Sequence, residues 1–203
     1  MMKSQGRFIL LYIIIGVNLL VGCGRKAAPQ YVIGVSQCSE DIWRDKFNKE
    51  LQMAEYLNDS IQVKLASSND DSKLQTRQIN QMIDEKVDLL VIAPNQLNTI
   101  SPAINRAYDK GIPVIIYDRK ANSNKYTAFI GCDNYAIGKS MGEFIAQKLQ
   151  GKGRVVEIRG LEGSSPALER HRGFMEAMKK YPGMQVVASE AGDWKEESGK
   201  KAM

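Results

Sequence analysis

The sequence predicts an α/β protein with two doubly wound parallel sheets, of which the second is incomplete. From Tyr31 onward, short β-branched runs alternate with amphipathic stretches of helical length, which is typical of βαβ units. The alternation starts afresh after Gly131, so we expect residues 31–132 to form one lobe and residues 133–203 part of a second. Only the opening of a helix follows the last strand, which leaves one βαβ unit half made, so we expect a fragment of a longer protein.

The first lobe is predicted to hold five strands, at residues 31–36, 61–66, 87–94, 112–118 and 126–131. The third strand, "VDLLVIAP", is apolar almost throughout, as expected of a parallel strand that helices cover on both faces. Ligands of such sheets bind outside the carboxyl ends of the strands, so we expect the functional residues in the loops at those ends.

Three predicted helices separate these strands. The first, over residues 41–57, is expected to bury its apolar face. That face consists of Trp43, Phe47, Leu51 and Ala54. The second helix has Asp71 or Ser72 as its N-cap, and the third has Ser101 as its cap with Pro102 in the first turn.

The second lobe is predicted to repeat the alternation on a smaller scale. A helix over residues 134–149 leads to a strand at residues 154–158. A further helix over residues 166–180 leads to a strand at residues 184–190. The loops after these two strands lie on the ligand side of this lobe by the same rule.

The charge distribution argues against a nucleic-acid partner. The 203 residues carry a net charge of +5, but four of the 28 Lys and Arg residues and no acidic residue lie within residues 1–30. The remainder is close to neutral and has no basic stripe that would neutralise phosphates. With 43% hydrophobic and 25% charged residues, the composition is that of a globular chain rather than a disordered one.

The N-terminal segment, residues 1–23, is predicted to be a secretory signal. Two basic residues precede an apolar run over residues 8–21, which is shorter than the roughly 20 residues needed to span a bilayer. The run ends in "LVGC", which resembles the bacterial lipobox, so Cys23 is expected to carry lipid and to become the new N-terminus. Residues 24–30 are then a short tether. An uncleaved membrane anchor is the alternative, and both interpretations predict a periplasmic or cell-envelope protein held at the membrane.

Two further cysteines, Cys38 and Cys132, lie in the predicted globular part. They could pair in an oxidising compartment, but the sequence does not fix the distance between them, and free thiols are the favoured interpretation. His171 is the only histidine, so we expect no metal site, and no cofactor is predicted. The charged surroundings "LERHRG" predict that His171 is a solvated surface residue.

Asp118 and Arg119 are the first candidate ligand-binding residues. They directly follow the apolar run "IPVIIY", on the side where an open α/β sheet binds its ligand. A carboxylate that accepts and a guanidinium that donates hydrogen bonds can together hold the vicinal hydroxyls of a sugar. An ordinary surface loop with two charges is the alternative.

Three more side chains fall near the ends of predicted strands. Trp43 follows the first strand and Trp194 the last, where a flat indole can stack on the C–H face of a sugar ring. Core packing is the alternative, above all for Trp43. Arg170 lies early in a predicted helix and can point into a cleft between the two sheets, or else it is an ordinary surface arginine.

Signals for an enzyme are few. The sequence lacks G-x-S-x-G, H-E-x-x-H, G-x-x-x-x-G-K-[ST] and a G-x-G-x-x-G after a strand. Two of the acidic residues Glu40, Asp41 and Asp118 could form the carboxylate pair of a glycosidase. The sequence does not give the distance between their carboxylates, so it cannot test this alternative. We therefore predict a binding protein rather than an enzyme.

Four stretches of the chain together resemble a known family. They are "VDLLVIAPNQ", "GIPVIIYDR", "AFIGCDNYAIGKSMGEFIA" and "VVEIRGLEGSSPALERHRGFMEAM". Residues 31–203 resemble the ribose-type periplasmic sugar-binding proteins and the related effector-binding domains of lactose-repressor-type regulators. The resemblance implies two Rossmann-like lobes of the type I periplasmic binding protein fold, which are joined by crossovers and close over a sugar.

The resemblance also implies particular residues for the ligand site. By motif match, the sugar-contacting set comprises Asp118, Arg119, Arg170, Trp43 and Trp194. Asp133 and Asn134 fall at the first crossover and are expected to act as a hinge. Two positions depart from the ribose binders, because Glu40 stands where they place an asparagine and Leu168 where they place another arginine. We keep Glu40 as a ligand-binding candidate, and the sugar need not be ribose.

The stretch "YVIGVSQCSEDIWRDKFNKEL" is closer to the sensor domains of hybrid two-component systems that control saccharide use. The resemblance therefore implies a small sugar ligand and transmembrane kinase segments in the same longer protein. The alternative is a lipoprotein that delivers sugar to a transporter, with an ABC permease as its partner. A cytoplasmic repressor is disfavoured, since a signal sequence stands where a DNA-binding helix-turn-helix should be.

Overall fold

The computed structural model describes residues 29–203. Its first sheet contains five parallel strands, namely β1 (Tyr31–Gln37), β2 (Ile61–Ser67), β3 (Leu89–Ile92), β4 (Val114–Tyr117) and β5 (Ala128–Ile130). They are hydrogen-bonded in the order β2-β1-β3-β4-β5. The chain winds outward from β1 on one side and from β3 on the other, which makes a doubly wound sheet with its switch point between these two strands. The predicted α/β class is therefore confirmed.

The predicted signal peptide, its lipobox residue Cys23 and residues 24–28 of the tether lie outside the described residues. Within residues 29–203, the structure contains no helix of the length and apolar character that a bilayer crossing requires.

The helices of the first unit are α1 (Ile42–Tyr56), α2 (Ser72–Asp84) and α3 (Ser101–Asp109). Asp71 is the N-cap of α2, and its carboxylate accepts two backbone N–H groups of the first turn. The prediction that Ser101 caps α3 is wrong. Ile100 occupies the cap position, and the Ser101 hydroxyl instead donates to the Leu97 carbonyl at 2.9 Å, as serines within a first turn do.

A second sheet of two parallel strands follows, formed by β6 (Lys152–Arg159) and β7 (Gly183–Ala191). Its helices are α4 (Asn134–Lys148), α5 (Ser165–Met178) and α6 (Glu196–Ala202). Both strands extend beyond their predicted ends, and a bulge between Val155 and Val156 shifts their register. Strands β3, β4 and β5 of the first sheet are shorter than predicted, and Ala93 and Pro94 continue the apolar run beyond the end of β3.

The main core lies between the first sheet and helices α2 and α3. Its most buried side chains are Ile79, Ile83, Leu90, Ile92, Ile100, Ile104, Val114 and Ile116. Each such side chain contributes about 1.5–3 kcal/mol through burial, so this core holds the strand ends of the first sheet in place. A smaller core in the second unit comprises Ala146, Phe174, Met178 and Met184.

The buried face of α1 differs from the prediction. Trp43 is 55% exposed and Ala54 is exposed, whereas Arg44 is the buried residue of this helix. The first turn of α1 lies at the carboxyl end of the sheet, where Arg44 is paired with the acidic Asp118. Arg44 is therefore buried there, although apolar residues are usually the ones that are buried.

Glycines allow α4 and α5 to approach each other closely. A Cβ built on Gly138 would lie 2.0 Å from the carbonyl oxygen of Arg170, and one built on Gly173 would lie 2.1 Å from that of Tyr135. No larger residue fits at either position unless the helices separate. This packing fixes the part of α5 that carries Arg170 against the first turns of α4.

The two cysteines and the histidine of the described residues have different surroundings, and Cys38 belongs to a small apolar cluster with Ala93 and Tyr117. Cys38 is buried, Cys132 is exposed, and both are free thiols. The prediction that His171 is solvated is wrong, because its Nδ1 lies 2.7 Å from Glu157 Oε2 on the neighbouring strand β6 and the residue is half-buried. Among the described residues, no group of three or more His, Cys, Asp or Glu is arranged to hold a metal ion.

Candidate functional site

A cavity of about 340 Å³ lies at the carboxyl ends of strands from both sheets. Its lining residues are Asp41, Trp43, Arg44, Asp118, Arg119, Pro166, Arg170 and Trp194. Five of the six ligand-binding candidates from the sequence are among them, and Glu40 is the exception. The cavity therefore brings together side chains from four segments that are far apart in the sequence.

Asp118 follows the last residue of β4 and has a left-handed backbone, with φ of 62°. Its N–H donates to the Ile130 carbonyl at 2.8 Å, so the end of the neighbouring strand β5 holds this conformation. Non-glycine residues in this region are uncommon, although Asp and Asn are enriched there, and they cost on the order of 1–3 kcal/mol. The turn brings Asp118 to the cavity wall.

Arg119 is 6% exposed and is held by a neighbouring strand end. Its Nη1 donates to the backbone oxygen and to the Oδ1 of Asn95, each at 3.2 Å, and its Nε lies 3.9 Å from Asp118 Oδ2. Asn95 follows β3, and its own amide donates to the Asp70 carbonyl at 2.7 Å and to the Ser72 hydroxyl at 2.9 Å. These hydrogen bonds fix Arg119 without any contribution from a ligand.

Arg44 is a cavity residue that the sequence analysis missed. It is 3% exposed, and its Nη2 donates to Asp118 Oδ2 at 2.5 Å and to Cys38 Sγ at 3.2 Å. Burial lowers the pKa of Arg44, but the neighbouring Cys38, Tyr117 and Asp118 outweigh burial and raise that pKa above its ordinary value. Its Nε and Nη1 are buried and have no hydrogen-bond partner among residues 29–203, so two donors of this cavity residue are unsatisfied there.

Trp43 begins a row of aromatic rings beside Arg44. The Arg44 guanidinium carbon lies 4.7 Å from the Trp43 ring centroid. Trp43 stacks on Phe47 with centroids 6.4 Å apart, and Phe47 stacks on Tyr117 with centroids 4.8 Å apart. The Trp43 ring is therefore not buried in a hydrophobic core, and it faces the cavity. The position of Arg44, next to Trp43 in the first turn after β1, is the signal that could have found it.

Tyr117 closes the buried end of this aromatic row. Its hydroxyl donates to Gln37 Oε1 at 2.9 Å. Burial raises the pKa of Tyr117 well above its usual range, so the hydroxyl stays protonated and keeps this hydrogen bond.

Arg170 and Trp194 form the other side of the cavity. Arg170 Nε donates to Asn134 Oδ1 at 2.8 Å, and its guanidinium carbon lies 5.5 Å from the Trp194 ring centroid. Asp193 and Trp194 are consecutive left-handed residues, with φ of 52° and 61°. A bulky residue in this region is an outlier that the surrounding structure must hold in place. Trp194 is 45% exposed, so part of its ring is open to a ligand.

Direct contacts join the two sides of the cavity. The backbone N–H of Lys120 donates to Ser165 Oγ at 2.6 Å, and Lys120 Nζ donates to Glu169 Oε1 at 2.7 Å. Lys195 Nζ lies 3.3 Å from Asp70 Oδ2. These contacts hold loops of the first sheet against α5 and against the loop that carries Trp194.

Glu40 and the predicted crossover pair lie outside the cavity lining. Glu40 is exposed, whereas the next residue, Asp41, lines the cavity. Asp41 has an extended backbone, with φ of −157°, and successive side chains of an extended segment point in opposite directions. Asp133 caps α4 by accepting a backbone N–H at 2.9 Å, and Asn134 is buried beneath Arg170. The hinge role of this pair stays a prediction.

The sequence matches a family profile over most of its length. The matching profile is that of the periplasmic binding protein domain, and the match covers residues 33–203. The chain belongs to the periplasmic binding protein family. The resemblance inferred from the sequence motifs is therefore confirmed.

Curated members of the periplasmic binding protein family are similar along much of the chain. The galactofuranose-binding protein of Escherichia coli (strain K12) is 30% identical over 198 residues, which cover 95% of this chain and 62% of the relative. The ribose import binding protein of Bacillus subtilis (strain 168) is 32% identical over 143 residues, which cover 70% of this chain and 46% of the relative. The chain thus spans about half the length of these relatives.

Solved periplasmic binding protein structures share the fold. The fructose-binding periplasmic domain of a hybrid two-component system is 45% identical with a TM-score of 0.79, covering 83% of this chain and 56% of that domain. A galactofuranose-binding protein is 29% identical with a TM-score of 0.76, covering 84% of this chain and 59% of that one. These relatives are named as binding proteins and not as enzymes, which confirms both the type I fold and the non-enzymatic class.

Proposed function

We propose that this chain binds a small sugar in the cavity between its two sheets, as the ligand-binding part of an extracytoplasmic sensor in a hybrid two-component system. The observation that carries the proposal is the convergence of charged and aromatic side chains on one cavity of about 340 Å³. That volume lies at the lower end of small-molecule sites, which suits a monosaccharide.

The chemistry of the cavity suits a polyhydroxylated ring. Each sugar hydroxyl is both donor and acceptor, so it can bond Asp118 as an acceptor and Arg44 or Arg119 as donors. The indoles of Trp43 and Trp194 offer flat apolar faces to the C–H side of the same ring. Arg170 adds donors from the second sheet, so a bound sugar bridges the two units.

D-Fructose is the ligand that we propose first. The 45% identical structure is a fructose-binding domain, and the 29% identical one is a galactofuranose-binding protein. Both names are compatible with a five-membered sugar ring.

Calorimetric titration of the full-length protein tests this proposal. D-Fructose is expected to bind at micromolar concentration or tighter, whereas D-glucose serves as the six-membered aldose control. Arg170→Ala should lower the fructose affinity at least tenfold, since it removes a charged donor from the cavity. Arg172→Ala, two residues along the same helix and outside the cavity lining, is the matched control. Equal losses in the two variants, or no heat with fructose, would refute the proposal.

Sensing requires that the sugar favour one arrangement of the two units over another. We propose that binding closes the cavity and that the change passes through the membrane to kinase segments of the same protein. Full-length protein in membrane vesicles should change its autophosphorylation rate when fructose is added, and Arg170→Ala should abolish that response. A rate that is independent of fructose, in protein that binds it, would contradict the sensor role.

A sugar-delivering lipoprotein of an ABC transporter is the second candidate. The motif "LVGC" at Cys23 favours it, as does the similarity to the ribose import binding protein. Cys23 lies outside the described residues, so its lipidation is a separate prediction. Cells lacking the protein should then lose uptake of labelled sugar, and Cys23→Ala should abolish incorporation of a labelled fatty acid. Unchanged uptake in the deletion strain would favour the sensor.

A further inference from the structure

Gly160 lies at the carboxyl end of β6, against the ring of Trp194. A Cβ built on Gly160 would lie only 1.9 Å from Trp194 Cζ2 and 2.1 Å from both Cε2 and Cη2. Real Cβ atoms essentially never approach another heavy atom within 3.0 Å. The indole therefore occupies the space that the side chain of any other residue at position 160 would need.

The backbone of Gly160 does not itself require glycine. The described glycines with left-handed φ are Gly111, Gly151, Gly153 and Gly163, and Gly160 is not one of them. Alanine can adopt the φ of Gly160 without strain. Glycine at this buried position therefore leaves room for the Trp194 ring, and it is not needed for the backbone conformation of a turn.

Trp194 has little freedom to move aside. It follows Asp193 in a pair of left-handed residues. The segment is tied down at Gly192, whose N–H donates to the Arg159 carbonyl at 2.7 Å and whose carbonyl accepts the Lys195 N–H at 2.9 Å. A ring that is pushed off Gly160 must change its own rotamer or break this short loop, and either change moves the indole away from its present place in the cavity.

We propose that Gly160 is a positioning residue for sugar recognition, because its lack of a side chain seats the Trp194 indole as a stacking surface in the cavity. This inference rests on the proposed function, since the contact between Trp194 and a sugar is part of that proposal. Gly160 itself does not line the cavity. A larger residue at position 160 displaces the ring and lowers sugar affinity without touching the sugar.

The position of the ring can be measured without any ligand. Full-length protein labelled with 5-fluorotryptophan gives a ¹⁹F resonance for Trp194, which is assigned by its loss in Trp194→Phe. Gly160→Ala should shift this resonance and leave that of Trp43 in place. Gly199→Ala is the control, because a Cβ built on Gly199 meets nothing within 4 Å. A Trp194 resonance that stays at its wild-type position in Gly160→Ala would overturn the proposal.

The consequence for recognition is measured by fructose titration. Gly160→Ala should weaken fructose binding about tenfold, the size of one aromatic contact. Trp194→Ala should weaken it by a similar factor, and the double variant should show no further loss, because both changes remove the same contact. Additive losses, or wild-type affinity in Gly160→Ala, would overturn the positioning role.

The thermal stability of the variants separates displacement of the ring from general damage. If Gly160→Ala lowers the melting temperature through the clash, the double variant with Trp194→Ala should recover it, since the obstructing ring is gone. A melting temperature that does not recover would place the damage elsewhere and overturn the proposal. A wild-type protein that binds no fructose would refute the proposed function, whereas the ¹⁹F measurement would still decide the placement of Trp194 by Gly160.

Discussion

Arg44 Nη2 donates to Asp118 Oδ2 at 2.5 Å, although the two residues are 74 positions apart in the chain. The pair joins the first turn of α1 to the carboxyl end of β4. Asp118 balances a guanidinium that is almost fully buried, while two other donors of Arg44 have no partner among the described residues. The same side chain therefore serves both the stability of the first unit and the proposed ligand contact.

Asp118→Asn tests the stabilising part of this pair. Asparagine tolerates the left-handed backbone of position 118, so the substitution removes the charge opposite Arg44 and leaves the turn intact. Because Asp118 is partly exposed, we expect a loss of about 1–3 kcal/mol in the free energy of unfolding. Urea titration measures the loss. Asp109→Asn, which removes one partner of an exposed pair with Lys125, should cost far less, and equal costs would contradict the prediction.

Arg44→Lys tests the donor geometry in the cavity. Lysine keeps the positive charge but lacks the planar set of donors that includes Nε and Nη1. We expect the fructose affinity to fall at least tenfold and the stability to fall less than in Arg44→Ala. Calorimetry and thermal unfolding measure these two effects, with the exposed Arg77→Lys as control. Wild-type affinity in Arg44→Lys would mean that the charge alone is needed.

Gly138→Ala tests the close approach of α4 and α5. The added methyl group would overlap the carbonyl oxygen of Arg170, which is backbone and cannot turn away. We expect a loss of about 1–3 kcal/mol in the free energy of unfolding, together with weaker sugar binding, because α5 carries Arg170. Denaturant titration gives the first value and calorimetry the second. Gly199→Ala should change neither, and an equally stable Gly138→Ala would contradict the close packing.

The N-cap of α2 predicts a dependence of stability on acid. Hydrogen bonds from the backbone N–H groups of Leu74 and Lys73 lower the pKa of Asp71 below its ordinary value of 3.8. A carboxyl group whose pKa is lower in the folded state stabilises the fold above its unfolded pKa, and this contribution disappears as the pH falls through the folded value. Asp71→Asn should therefore lose less stability than the wild type between about pH 7 and about pH 3. Parallel urea midpoints for the two proteins over that interval would contradict this.

Much of the cavity could be predicted because the relevant rule is local. A residue that directly follows an apolar strand in a βαβ alternation must lie at the carboxyl end of the sheet, which is how Asp118 and Arg119 were found. The same rule predicted Trp43, Trp194 and Arg170 as ligand-binding candidates, because they lie near the ends of predicted strands. Each of these predictions depended only on where a strand ends, and errors of one or two residues in the strand bounds did not change them.

The residues that were missed depend on partners far away in the sequence. The place of Arg44 in the first turn after β1 marks it as a candidate, but its burial depends on Asp118, which meets it from another loop. His171 was expected in solvent because its own helix is highly charged, yet Glu157 on the neighbouring strand binds it. Glu40 and Asp41 are adjacent, and the backbone angles decide which of the two lines the cavity. Those angles cannot be predicted from the residue types.

The bond from Arg170 to Asn134 has a mechanical consequence. Asn134 is the first residue of α4, the helix through which the chain leaves the first sheet for the second. Under the proposed function, a sugar oxygen that draws the Arg170 guanidinium toward itself acts on a side chain that is hydrogen-bonded to this junction. We therefore predict that a bound sugar changes the position of the first turn of α4, where the chain passes from the first unit to the second.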